Sequence, residues 1–296
     1  MLSSAQNLDS VIQPTDAEDI LFESLETMFD LKPINVGSVG SPFIYRYQGN
    51  RDSGQYPPTT ITLHTPDTLA ANWSLHASAI WVSSIYLADH VHELDLPHHP
   101  SFNGPSPLRL LELGASAGLP GILTAKLFPN VDVTVSDYPD EQLIKTLSSN
   151  VELNNVRGNC RTVAYAWGSD VPELLGGDSG FDVVLAADTL WSPDRHEIFL
   201  DSLVRVLKRC PHARIHLVAG LHTGRYTIES FLGSVESKGL TVDSIKEVEV
   251  GGNTTRAWDV NHETNDDSER RRWVVWMQLR WHFSDGSHGS EQLVKF

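Results

Sequence analysis

Two carboxylates and two glycines carry the chemistry that residue type and spacing make legible in this chain. Glu112, Gly114 and Gly118 fall in the run Leu108-Arg109-Leu110-Leu111-Glu112-Leu113-Gly114-Ala115-Ser116-Ala117-Gly118-Leu119-Pro120-Gly121, and Asp137 closes the run Val131-Asp132-Val133-Thr134-Val135-Ser136-Asp137. Glycine lets a backbone turn sharply and lie close to a ligand, because no Cβ intervenes. An ionised carboxylate accepts hydrogen bonds from both hydroxyls of a ribose. An acid some 20 residues beyond a glycine turn is placed where nucleotide-binding α/β units hold that sugar. The combination predicts a cradle for a nucleoside-bearing cofactor. A dinucleotide turn reads G-x-G-x-x-G, and a P-loop ends in Gly-Lys-Ser/Thr. Gly114 and Gly118 are spaced G-x-x-x-G, and the nearest lysine, Lys126, falls inside the helix that follows.

The elements that must hold these residues follow from the patterning. The leucine-rich run Leu108–Leu113 suits a strand covered on both faces, and Pro120 suits a first helical turn. From there strands and helices alternate, as in a parallel sheet with helices on both faces. The strands are read as Leu108–Leu113, Val131–Ser136, Cys160–Ala164, Phe181–Ala187, Ala213–Ala219, Leu240–Val250 and Trp273–Phe283. The helices are read as Leu119–Phe128, Asp140–Asn154, Pro193–Lys208 and Arg225–Lys238. The expected fold is therefore α/β: a Rossmann-like, seven-stranded, mostly parallel sheet with an antiparallel last strand, preceded by an N-terminal helical extension. Before the sheet, Asp16–Asp30 reads as an amphipathic helix, Gly37–Pro58 as turn-rich, Thr59–Thr65 as a strand and Asn72–Leu94 as a segment that carries a helix. Gly251–Glu269 reads as a mobile loop, and the tail after Ser284 as frayed. The expected division is an extension over 1–107, a core over 108–284 and a tail over 285–296.

Composition sets outer bounds. The chain has 296 residues, 40% of them hydrophobic, and a net charge of −16. The length suits one large α/β domain with appendages. No apolar run is long enough to span a membrane, and the polar, acidic start lacks the pattern of a signal peptide. Cys160 and Cys210 make neither a disulfide framework nor a zinc motif. A cytoplasmic setting, or a nuclear one, is expected. Non-specific nucleic-acid binding needs a basic face, and the dense basic run Arg270-Arg271-Arg272 is preceded by acids; neither nucleic acid nor membrane is expected as a partner. An acidic surface favours lysine-rich protein segments or cationic small molecules, and serves solubility as well. His90, His92, His98 and His99 match no metal-ligand motif and read as a solvated loop.

The E-x-G-x-x-x-G pattern resembles the first motif of the seven-strand S-adenosylmethionine methyltransferases and favours that cofactor over NAD. Three further motifs extend the likeness: Ser136-Asp137-Tyr138-Pro139-Asp140, Ala166-Trp167-Gly168 and Ala186-Ala187-Asp188-Thr189-Leu190-Trp191. Trp81, within Ser78-Ala79-Ile80-Trp81-Val82-Ser83-Ser84, adds a fifth point of similarity. From about Asn72 to Val218 the chain resembles fungal proteins of the nicotinamide N-methyltransferase-like group. That group is placed with the seven-strand protein lysine methyltransferases, including those acting on translation elongation factors.

The resemblance implies that Glu112, Gly114, Ala115, Ser116 and Gly118 form the cofactor turn, with Gly114, Ala115 and Ser116 against the methionine and ribose. It implies Asp137 on the ribose hydroxyls, Trp167 beside the adenine, Ala187 beneath it and Trp81 over the methionine end. Asp188 and Trp191 become the candidate catalytic residues, one orienting an amine and helping it lose a proton, the other lining its channel. Trp81 equally suits a core position on a helix, and Trp167 an ordinary loop anchor. Two departures stand out. Ser116 replaces a frequent glycine, and Asp188-Thr189-Leu190-Trp191 replaces the Asn-Pro-Pro-aromatic signature of enzymes acting on adenine or glutamine amides. The acceptor implied is a protein lysine or N-terminal amine within a basic segment. A small amine or pyridine substrate, or a cofactor-binding module without turnover, is the alternative.

Overall fold

The computed structural model describes residues 32–283 except 38, 40, 50–55 and 253. The helix expected over Asp16–Asp30 and the tail after Ser284 lie outside the described residues. Five parallel strands form the heart of the sheet: β5 (Leu108–Leu113), β6 (Val131–Asp137), β7 (Cys160–Ala164), β8 (Val183–Ala187) and β9 (Arg214–Gly220). They follow β1 (Asn35–Val36), β2 (Pro42–Tyr47), β3 (Thr59–His64) and β4 (Ile80–Trp81), and precede β10 (Leu240–Glu249), β11 (Thr255–Ala257) and β12 (Trp273–Trp281). The spatial order of the main sheet is β11-β10-β12-β9-β8-β5-β6-β7. Strand β12 runs antiparallel to β9, as expected for the last strand. The seven expected strands are all present, and the three-residue β11 adds an eighth at the edge.

Both faces of this sheet are covered, which is why its strands read as continuous apolar runs rather than alternating ones. All six residues of β5 and all five of β8 are buried. Successive side chains point to opposite faces. Leu108, Leu110, Val183 and Leu185 enter the core shared with helices α1 (Val82–Asp89), α2 (Leu119–Leu127) and α3 (Glu141–Leu153). Leu111, Leu113, Val184 and Ala186 enter the core shared with α4 (Pro172–Leu175), α5 (His196–Val206) and α6 (Arg225–Val235). A last short helix, α7, covers Asp267–Arg271. Among the described residues no helix is long and apolar enough to cross a membrane.

Three expectations are corrected. Gly37–Pro58 is not all turn: β2 pairs with β3 as a hairpin and buries Phe43, Tyr45 and Tyr47 on alternate positions. Asn72–Leu94 carries the expected helix only over Val82–Asp89. It breaks into a 3-10 turn at Ala70–Leu75, the short strand β4 paired with β1, and α1. Trp81 therefore sits at the end of β4, capping α1, and not inside a helix. The cause is tertiary: Ser116 Oγ donates to the carbonyls of Ala77 and Ala79 at 2.7 and 3.1 Å, taking acceptors that a helix would use. Gly251–Glu269 is not a bare loop, since it holds β11, a 3-10 turn at Val260–His262 and the start of α7.

Candidate functional site

The chain leaves β5 for β6 and β7 on one side of the sheet, then returns to β8 and β9 on the other. Such a reversal opens a crevice at the carboxyl ends of the strands, where open α/β sheets bind ligands. The turn after β5 forms its floor. Gly114 and Gly118 take φ of 69° and 86°, and Ser116, a non-glycine, takes 49°. The left-handed region costs a residue with a Cβ on the order of 1–3 kcal/mol, so the surroundings must hold Ser116 there. They do so through its two bonds to the Ala77 and Ala79 carbonyls. Its amide also donates to Asp137 Oδ2 at 2.6 Å. Ser116, standing where a glycine is frequent, thus ties the segment leading into β4 to the turn.

The cleft is lined by Trp81, Glu112, Gly114, Ala115, Ser116, Gly118 and Ala187 among others. Seven expected cofactor residues therefore meet at one place. Asp137 joins them through Ser116, and Tyr138 N–H donates to its other oxygen at 2.7 Å. Each oxygen keeps a free lone pair for a hydroxyl donor. Burial raises the Asp137 carboxyl to about 6, against the opposing pull of those two amides. Glu112 accepts from Gly121 N–H at 2.8 Å, and burial pushes its carboxyl up to about 8, with the Asp137 charge adding to the shift. Gly121 has to be glycine: a Cβ there would lie 2.5 Å from Val135 Cγ1 and 2.7 Å from Glu112 Oε2. Trp167 stands on the other side of the turn, its Cζ2 3.5 Å from where a Cβ on Gly114 would lie. It is half-buried and packs on Phe199 at 4.5 Å.

Asp188 follows β8 directly and is also left-handed, at φ 54°. Its Oδ2 accepts from Ser83 Oγ at 2.9 Å and its Oδ1 from Gly220 N–H at 3.1 Å. Burial raises its pKa, while His222, Gly220 and Ser83 pull the other way. Trp191 is half-buried, its ring edge-on to His76 at 5.1 Å. His76 stands edge-on to Trp81 at 6.3 Å, and Trp81 stacks on His222 at 5.3 Å. Trp191 is linked to the cofactor cleft by this file of rings, whereas Asp188 directly follows Ala187, which lines it.

Ser83, Gly220, His222 and His76 were not legible as site residues. Ser83 lies 105 positions from Asp188, and no local pattern announces the meeting. The adjacent His90 and His92 rings stack against Tyr86 and each other. Among the described residues no three His, Cys, Asp or Glu side chains are grouped to hold a metal.

Comparison with known proteins agrees with this geometry. Protein N-terminal and lysine N-methyltransferase efm7 of Schizosaccharomyces pombe is 28% identical over 214 residues, covering 64% of this chain and 79% of that one. Its namesake in Neurospora crassa is 27% identical over 255 residues, covering 77% and 84%. Protein-lysine N-methyltransferase EFM2 of Saccharomyces cerevisiae is 29% identical over 205 residues, covering 64% of this chain and 46% of that one. The profile described as lysine methyltransferase matches residues 70–238, the stretch that carries β4 to β9, the cleft and Asp188. By this match over more than half its length, the chain belongs to the lysine methyltransferase family.

Proposed function

We propose that this methyltransferase transfers a methyl group from S-adenosylmethionine to a lysine or N-terminal amine of a protein. The observation that carries the reading is Asp188, left-handed directly after Ala187 at the edge of the glycine-floored cleft, with Asp137 tied to the floor of that cleft through the Ser116 amide. The cleft residues suit the cofactor. Asp137 has acceptors left for two ribose hydroxyls, Gly114 and Ser116 offer a close backbone, and Trp167 offers an aromatic wall for adenine. When bound, the cofactor supplies an electrophilic methyl on a sulfonium.

The residues of the chain then have to deliver a neutral amine. A lysine ammonium has a reference pKa of about 10.4 and must lose a proton before attack. Asp188, held by Ser83 and Gly220, orients the ammonium and accepts a hydrogen bond from it as the proton leaves to water. Trp191 lines the approach, and its π face favours the cationic amine by ~0.5–2 kcal/mol. A protein acceptor is supported by the net charge of −16. The acidic surface fits a basic acceptor segment in the cytoplasm.

Separating binding from transfer tests the assignment of roles. Asp137→Asn should weaken S-adenosylmethionine binding at least tenfold in titration calorimetry, about 1.4 kcal/mol. Asp188→Ala should leave that affinity within about threefold while nearly abolishing transfer to a protein amine. Unchanged turnover in Asp188→Ala would refute the role given to it.

A further inference from the structure

The third neighbour of Asp188, after Ser83 and Gly220, is His222. A Cβ built on Gly220 would lie 2.7 Å from His222 Nδ1 and 3.4 Å from Asp188 Oδ1. Only a hydrogen at that Cα leaves room for the imidazole to lean toward the carboxyl. Gly220 is not left-handed, so its backbone conformation does not call for glycine; the gap does. The other side of the imidazole is stacked on Trp81, ring centroids 5.3 Å apart and planes 22° apart. Trp81 is itself fixed, its indole N–H donating to the His76 carbonyl at 2.9 Å, and it lines the cleft with Gly114 and Ser116. One half-buried histidine therefore lies between the residue at the acceptor lip and the aromatic wall of the cofactor cleft.

We propose that His222 is a positioning residue for methyl transfer, holding the Asp188 carboxyl and the Trp81 indole in fixed register across the site. The inference rests on the functional reading above and deepens it. His222 reaches no reacting atom; it acts through the indole it stacks on and, across the gap at Gly220, through its charge on Asp188, with no hydrogen bond or ion pair between the two side chains. Displacing a catalytic group by about 1 Å can cost on the order of 100-fold in rate, so a side chain that fixes two such groups at once has leverage without contacting substrate. Nothing else in the described site spans both: Ser83 and Gly220 hold Asp188 only, and the His76 carbonyl holds Trp81 only.

Two measurements on the full chain test it. In steady-state transfer, His222→Ala should lower kcat by roughly 10- to 100-fold with KM for S-adenosylmethionine changed less than about threefold. His222→Asn, whose amide takes the place of Nδ1, should recover most of that loss. Gly220→Ala keeps the amide donor to Asp188 but fills the gap, and should reproduce the His222→Ala defect. An unchanged kcat in His222→Ala, or no recovery in His222→Asn, would overturn the proposal. The second measurement needs no substrate. In a urea-unfolding cycle of Asp188→Ala, His222→Ala and the double variant, the midpoint shifts should be non-additive, as for residues that border a shared gap. Additive shifts would overturn the proposal. If the wild-type chain binds cofactor but methylates no amine, the functional reading fails, and the cycle still decides whether His222 and Asp188 act together.

Discussion

At the residue scale the site is an arrangement of acids that folding alone would not choose. Glu112 and Asp137 are buried beside one another in the cleft, and each carries a carboxyl pushed upward by that burial. The consequence is a dependence on pH. The folded-state pKa of Glu112 is about 8 against an ordinary 4.5, so the native chain binds the extra proton between those values. Stability is full below the lower value and declines as pH rises through the upper one. Glu112→Gln keeps an acceptor for Gly121 N–H but never charges. Its advantage over the wild type in melting temperature should therefore grow between about pH 5 and about pH 8.5. An equal difference at both pH values would contradict the burial account. Glu112, Gly114, Gly118 and Asp137 were legible because strand, turn and acid are local in sequence. Ser83 and Gly220 were not, because they reach Asp188 from different elements, and His222 was not, because it meets Trp81 only through the fold.

At the scale of elements, the buried strands of the sheet announced themselves and the pieces tied down by side chains did not. Leu108–Leu113, four leucines in six residues, and Cys160–Ala164 have the expected bounds. The alternation in Pro42–Tyr47 was present but masked by the turn residues around it. Gly251–Glu269 looked loop-like by composition, yet it is anchored from outside. Arg225 bonds Glu247 through two 2.8 Å contacts, and both side chains are fully buried. Arg256 of β11 reaches the same Glu247 at 2.7 Å and covers the Trp273 ring at 3.7 Å. The Arg225 amide donates to Glu263 as well. The two arginines hold the Glu247 carboxyl below its usual range despite the opposing effect of burial. Removing one partner of a buried pair strands the other, at a cost of about 3–5 kcal/mol. Glu247→Ala should lose that much in urea unfolding, whereas replacing Arg225 and Glu247 together by Met and Leu should lose less. A double variant worse than Glu247→Ala would contradict this account of the anchor.

At the scale of the molecule, topology, charge and the acceptor lip agree. The crossing from β5 outward to β7 and back to β8 creates the crevice, and the hairpin β2–β3 braces it. Asn150 and Asn154 of α3 each exchange paired hydrogen bonds with the backbone of β3, at His64 and Thr62. Asp140 caps α3 while binding Asn72 and the Leu69 amide, which anchors the segment carrying Trp73 and His76. The fold class was legible from the alternation of elements, whereas the packing of this N-terminal layer was not, since it depends on contacts between distant segments. The most direct test of the central claim is transfer of labelled methyl from S-adenosylmethionine into a cell extract separated into protein and small-molecule fractions, with wild-type chain and Asp188→Ala in parallel. The account predicts label in the protein fraction, on a lysine or N-terminal amine by peptide mass spectrometry, and nearly none with Asp188→Ala. Label confined to small molecules, or equal label with both chains, would contradict it.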